Sequence, residues 1–212
     1  MIDKIKDQLI EMLIEYSRSM YCIMSDMGVF YVTWAENSKS NRELLEKKAT
    51  KLKFDIEEAA LIKDQTIKDF SEALTLGSGD WAILIQKMHN LSNMALRFID
   101  LLRYIDLKNV DSEMKEMYHK SIDKILEMDK LINESIKLLR ENPKNIIFNI
   151  NMIHELGNHV EMVFHQFLNY LYKDKKLEIR ELLIIRDTVV TLEQFADKIN
   201  HIAEIIRVLR YE

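Results

Sequence analysis

Chain breakers are nearly missing from this sequence. Its 212 residues hold four glycines and one proline, against average usage of about 7% and 5%. Closely spaced tight turns are therefore excluded, and long uninterrupted helices are the default. Cysteine is equally scarce. The single Cys22 cannot close an intramolecular disulfide, which fits a reducing cytosol. It stands in an apolar helical stretch, so a small buried side chain is expected rather than a reactive thiol. No basic cluster is visible in a chain of net charge −5 and pI near 5.8, which argues against a nucleic-acid partner. The N-terminus alternates Asp3, Lys4, Lys6 and Asp7 and lacks the unbroken apolar region of a secretory signal. The longest weakly charged stretch, Ser19 to Ala35, contains Asp26 and falls short of the ~20 apolar residues that span a bilayer. A soluble, cytoplasmic protein is expected.

What the chain does have is straight-chain helix formers: twelve Met and abundant Leu, Ile, Lys and Glu. The first helix is predicted over about Ile2 to Ala35. Ile2, Ile5, Leu9, Met12, Tyr16, Met20, Ile23, Met27, Phe30 and Trp34 step by three and four along one face. A polar break at Asn37–Asn41 precedes a second helix, about Arg42 to Leu74. Gly77-Ser78-Gly79-Asp80 reads as a turn, with Asp80 as N-cap of a third helix, about Trp81 to Ile105. Asp111 and Ser112 can cap a fourth helix that ends at Glu141, because Asn142 precedes Pro143 and avoids the helical region. The fifth covers about Asn145 to Tyr172, followed by a charged turn at Lys173–Lys176. The sixth runs from near Glu178 almost to the C-terminus, with Leu182, Ile185, Val189, Leu192, Ala196, Ile199, Ala203 and Ile206 as one apolar seam.

Ser92–Leu102 and Ala196–Ile206 read as one piece of structure written twice. Each closes a long helical segment that follows a helix with a Leu-rich end, Ala73–Leu76 in the first case and Leu168–Tyr172 in the second. The chain is therefore expected to be all-α, a single domain of six long helices. They form two tandem three-helix bundles, with internal repeats of about 1–107 and 108–212. The second half of the first helix, from Met20 through Cys22, Val29 and Val32 to Trp34, is apolar nearly all round. It should be covered on several sides, by the other repeat, a second subunit or a membrane partner.

Two polar stripes carry the chemistry. Glu193, Asp197, His201 and Glu204 share one face of the sixth helix, and neither of the first two has an intrahelical cation one turn away. His154, Asn158, Glu161 and His165 share a face of the fifth. A hairpin turning at Lys173–Lys176 sets His154 opposite Asp197 and Asn158 opposite Glu193, with equal rise assumed in both helices. Such a donor set suits Mg, Mn, Fe or Zn. The plain alternative, that both stripes are solvated faces, stays open on spacing alone. A di-iron enzyme would need Glu-x-x-His pairs from two helices. The only instance is Glu116–His119. Phosphate loops, zinc spacings and Gly-x-Ser-x-Gly are absent.

Leu192-Glu193-Gln194-Phe195-Ala196-Asp197 resembles the Glu-x-x-(Ala/Gly)-Asp signature of PhoU-like proteins, the regulators and accessories of phosphate transport. Ile153 to Glu161 resembles the corresponding signature of the branch that accompanies phosphate permeases. The sequence has Gly157 and Glu161 where that pattern has Glu and Asp. In the first repeat the matching positions are His89 and Asn93, with Asp64 the partner of Asn93 by register. The resemblance implies two three-helix repeats with metal at both. Here Glu193, Asp197, Glu161 and His154 are the candidate ligands for Fe, Zn, Mn or Mg at the second repeat, and the first site is eroded. It further implies a non-enzymatic, homo-oligomeric regulator. Its partner would be a phosphate permease or a phosphate-signalling protein, through which alone it would meet the membrane. The alternatives from other classes are a helical-bundle carboxylate metalloenzyme and a ligand-free helical scaffold.

Overall fold

A computed structural model describes residues 2–36, 41–72, 78–173 and 177–211 of the chain. The six expected helices are α1 (Ile2–Ala35), α2 (Asn41–Glu72), α3 (Ser78–Arg103), α4 (Ser112–Glu141), α5 (Ile146–Lys173) and α6 (Ile179–Leu209). Short 3-10 turns at Leu107–Asn109 and Pro143–Asn145 lead into α4 and α5. No strand occurs among the described residues. The Leu-rich segment Ala73–Leu76 and parts of the expected turns, 37–40, 77 and 174–176, lie outside them.

Local sequence explains most boundaries. Asp111 caps α4 by accepting from the Met114 backbone N–H at 2.9 Å, which satisfies one of the orphan donors of the first turn. The chain leaves α4 at Asn142, and Pro143 opens the next turn at the position where its missing N–H costs nothing. One expectation fails. Ser78, Gly79 and Asp80 are the first helical residues of α3, so Asp80 is not its N-cap. Its carboxylate lies in the first turn, where the helix dipole favours negative charge just as well.

The helices pack as two sets of three. Within each set every helix meets the other two, and the sets join where α1 lies on α4 and α3 lies on α6. The outer helices are α2 and α5. Along α1 the expected face is buried from Leu9 to Trp34, with Met12 half-buried, and the α6 seam is buried apart from half-exposed Leu182. Side chains of Ile2 and Ile5 lie outside the described set. Because α1 is covered by α2, α3 and α4, Met20, Ile23, Met24, Met27, Phe30, Tyr31 and Trp34 are all buried. Cys22, Val29 and Val32 remain exposed. The expectation of a buried Cys22 is thus overturned: the three neighbours of α1 leave one strip uncovered, and Cys22 falls on it.

At the junction stands Tyr118 of α4, with no exposed surface. Its ring centroid is 4.8 Å from Phe167, 5.9 Å from Tyr31, 6.3 Å from Trp34 and 6.5 Å from Phe98. Offset and edge arrangements at these distances are favourable for aromatic pairs. The hydroxyl bonds Thr188 Oγ1 on α6. Thr188 also donates to the Ile185 carbonyl at 2.6 Å, so it keeps a partner if Tyr118 loses its oxygen. Tyr118→Phe is accordingly expected to cost only about 1 kcal/mol, and Tyr118→Ala about 3–5 kcal/mol, read from urea denaturation. An alanine variant as stable as the parent would mean that the halves are held together elsewhere.

Candidate metal site

The facing surfaces of α5 and α6 are set by one close approach. A Cβ added at Gly157 would stand 2.6 Å from Asn200 Nδ2 and 3.1 Å from its Oδ1, so a larger residue there requires the Asn200 side chain to move. That contact marks the antiparallel register. Three residues before Gly157, His154 Nε2 lies 2.8 Å from Glu204 Oε1. Four residues after it, Glu161 comes level with Glu193 and Asp197, and both Glu161 and His165 act electrostatically on Glu193.

The expected pairing of His154 with Asp197 and of Asn158 with Glu193 is therefore corrected. The true register differs by about two helical turns. The connection runs to Glu178 before α6 begins at Ile179, beyond the turn assumed from the charges, and the Gly157–Asn200 contact pulls the helices further along. His154 is held away from the carboxylate group by Glu204, which also takes Arg207 Nη2 at 2.5 Å. The side chain that replaces it near Glu193 is His165, a member of the same stripe on α5.

The second half thus assembles Glu161, Glu193 and Asp197 with two imidazoles. His165 Nε2 is 3.8 Å from Glu161 Oε1, and His201 Nδ1 is 3.5 Å from Asp197 Oδ2. Each pair is an i,i+4 neighbour on its own helix. Burial pushes the Glu193 carboxyl up, and the charges of Asp197 and Glu161 push it further. Like charges at this range disfavour ionisation unless a cation enters. Among the described residues no three His, Cys, Asp or Glu side chains close on a single point as a bound metal would require. By donor chemistry, carboxylates with imidazoles fit a divalent cation. Position 157 does not fit the family pattern, since Asn200 fills the space a Glu side chain would need.

The first half has the opposite charge balance. His89 is buried and its Nδ1 lies 3.1 Å from Tyr16 Oη and 3.5 Å from Ser92 Oγ. Burial lowers the His89 pKa first, and the Lys63 ammonium lowers it further. Burial and the Asp64 charge raise that of Tyr16, so the bond joins two neutral groups. Asn93, matched in sequence to Asp197, is exposed. Asp64 takes its charge partner from its own neighbour: Lys63 Nζ is 3.0 Å from Asp64 Oδ1, and the Lys63 side chain is only 16% exposed. An ammonium group stands where a metal would compete for the same carboxylate. Helical spacing within α2 gave no hint of Lys63, because a lysine next to its acid in sequence does not share its face.

No family model matches the chain, and no curated protein matches it either. Solved structures do. A PhoU-like phosphate regulatory protein from Shewanella oneidensis MR-1 matches with a TM-score of 0.80 at 12% identity, over 95% of this chain and 98% of its own. A second PhoU-like protein from the same organism gives 0.81 at 11% identity, over 96% and 99%. The fold is PhoU-like from end to end.

The close approach at Gly157 carries a direct expectation. Gly157→Glu, which installs the Glu of the PhoU-like pattern, should destabilise the protein by about 1–3 kcal/mol through overpacking, read as a fall in denaturation midpoint. A variant of unchanged stability would show that Asn200 yields freely and that the register is set by something else.

Proposed function

We propose that the protein is a non-enzymatic regulator of inorganic phosphate homeostasis, working in the cytoplasm through a phosphate permease or a phosphate-signalling partner. The observation that carries this reading is the PhoU-like fold, which covers nearly the whole of this chain and of its structural neighbours. Among the described residues no helix is long and apolar enough to cross a membrane, so contact with a permease would be peripheral. Nucleophile–base–orienter sets of the kind that drive acyl or phosphoryl transfer are not part of the candidate site; its donors are carboxylates and imidazoles alone. In cells deprived of the protein, phosphate uptake and the response to phosphate starvation should shift together. Unchanged uptake and an unchanged starvation response would sink the reading.

The same proposal places a divalent cation in the second half, held by Glu193, Asp197 and Glu161, with His165 taking the role that spacing assigned to His154. What supports it is the mutual charge repulsion at Glu193, which a cation would relieve. The first half, neutralised by Lys63, would take none. Calorimetric titration with Mn, Zn, Fe(II) or Mg should give one site. Glu193→Ala with Asp197→Ala should abolish it, His165→Ala should weaken it by about 10-fold or more, and His154→Ala and His89→Ala should leave it intact. The pH dependence follows from the raised Glu193 pKa. A carboxyl that holds its proton above the usual range must lose it to bind, so affinity falls on acidification, beginning above the range of ordinary carboxylates. Metal retained by the double variant, or affinity independent of pH between 7 and 5, contradicts the assignment.

A further inference from the structure

Three side-chain oxygens among the described residues are buried without a hydrogen-bond partner: Asp129 Oδ2, Asn133 Oδ1 and Asn200 Oδ1. The last is wedged against Gly157. The first two stand one turn apart on α4, at 4% and 8% exposure, and their place in the fold gives them meaning.

Both lie on the seam of α4 that faces α1. Lys115 and Ile122 precede Asp129 at seven-residue intervals, and Leu126 and Arg140 flank Asn133 at the same interval. Each of those four residues touches α1. Lys115 Nζ donates to the Ala35 carbonyl at 2.9 Å, and Arg140 pairs with Glu11. A Cβ at Gly28 would stand 2.9 Å from Leu126 Cδ1 and 3.8 Å from Ile122 Cγ2. Carried on two and three turns, this antiparallel register brings Asp129 level with Tyr21 and Asn133 level with Ser17. Ser17 is buried, but its hydroxyl proton is already given to the Ile14 carbonyl at 2.9 Å.

An ionised carboxylate and an amide carbonyl are both acceptors, so neither can satisfy the other. A single proton resolves the conflict: a carboxylic acid gains an O–H donor. We propose that Asp129 is protonated in the folded protein and donates to Asn133 Oδ1, forming a proton latch within α4, on its face toward α1, that opens as pH rises.

The surroundings support the neutral form. From α1 the titratable side chain level with Asp129 is Tyr21, and Arg18 is exposed to solvent. From α6, in the parallel register set by Tyr118 and Thr188, the residues at this height are Ile199 and Ala203, both fully buried. From α5 the inward side chains are Ile153, Leu156 and Val160. No Lys, Arg or His joins them. Burial is the one cause acting on Asp129 and pushes its carboxyl up to about 7. The sign of the linkage follows. The unfolded chain releases this proton near the ordinary Asp value of about 4 while the folded chain keeps it, so the group favours folding least once pH exceeds the folded value. The stability it confers is full below about 4 and is lost progressively as pH climbs to about 7.

Infrared difference spectra and thermal melts of the full chain test the latch. The parent should show a buried carboxylic acid C=O stretch at pH 6 that fades by pH 8.5 and is missing in Asp129→Asn. Asp129→Asn should melt progressively higher than the parent as pH rises from 5 to 8.5, because the amide needs no proton. Asn133→Leu, which removes the acceptor, should cost more at pH 5 than at pH 8.5. Absence of the acid band at pH 6 would overturn the proposal, since Asp129 would then be ionised and served by the Asn133 NH2 group. So would an Asp129→Asn shift that is the same at every pH.

Discussion

Five of the six helices meet at one aromatic ring. Tyr118 of α4 touches Tyr31 and Trp34 of α1, Phe98 of α3 and Phe167 of α5, and its hydroxyl reaches Thr188 of α6. Each three-helix set could bury one stripe per helix by itself. The second buried face of α1, and the way α3 and α6 lie together, need the other set. A ring accommodates this better than an aliphatic side chain, since it presents faces and edges to several neighbours at once. The height of α6 against α4 is counted from this point, and it brings Ile199 and Ala203 level with the polar pair at Asp129.

Much of the fold was legible because the sequence offers so few alternatives. With one proline and four glycines, helix ends could fall at only a few places, and Asp111 and Pro143 marked two of them with ordinary capping and turn chemistry. Periodicity found the buried faces of α1 and α6. Register between helices was not legible. Spacing says which residues share a face, but the height at which two faces meet depends on a connection of unknown shape and on contacts as local as Gly157 with Asn200. His154 was misplaced for that reason; Glu193 and Asp197, one turn apart on α6, keep their relation whatever the register, whereas the height of Glu161 on α5 against them depends on it. Cys22 failed differently. An apolar neighbourhood in sequence is not a covered one, and the strip left open by three packed helices cannot be read from composition.

The two halves share an architecture and differ in charge. In the second, exposed Glu161 and Asp197 and half-buried Glu193 have only imidazoles for company. In the first, a buried neutral His89 and an Asp64 paired with Lys63 occupy the corresponding place. The contrast is one of charge: Asp64 in the first half has an ammonium partner, and Glu193 in the second has like charges beside it.

Lys63 has one consequence of a different kind. An ammonium tethered to the backbone is present at a fixed effective concentration, so chelators and metal supply have little hold on it. The charge of Asp64 is thereby balanced from within its own helix, whereas Glu193 meets a like charge across the α5–α6 contact.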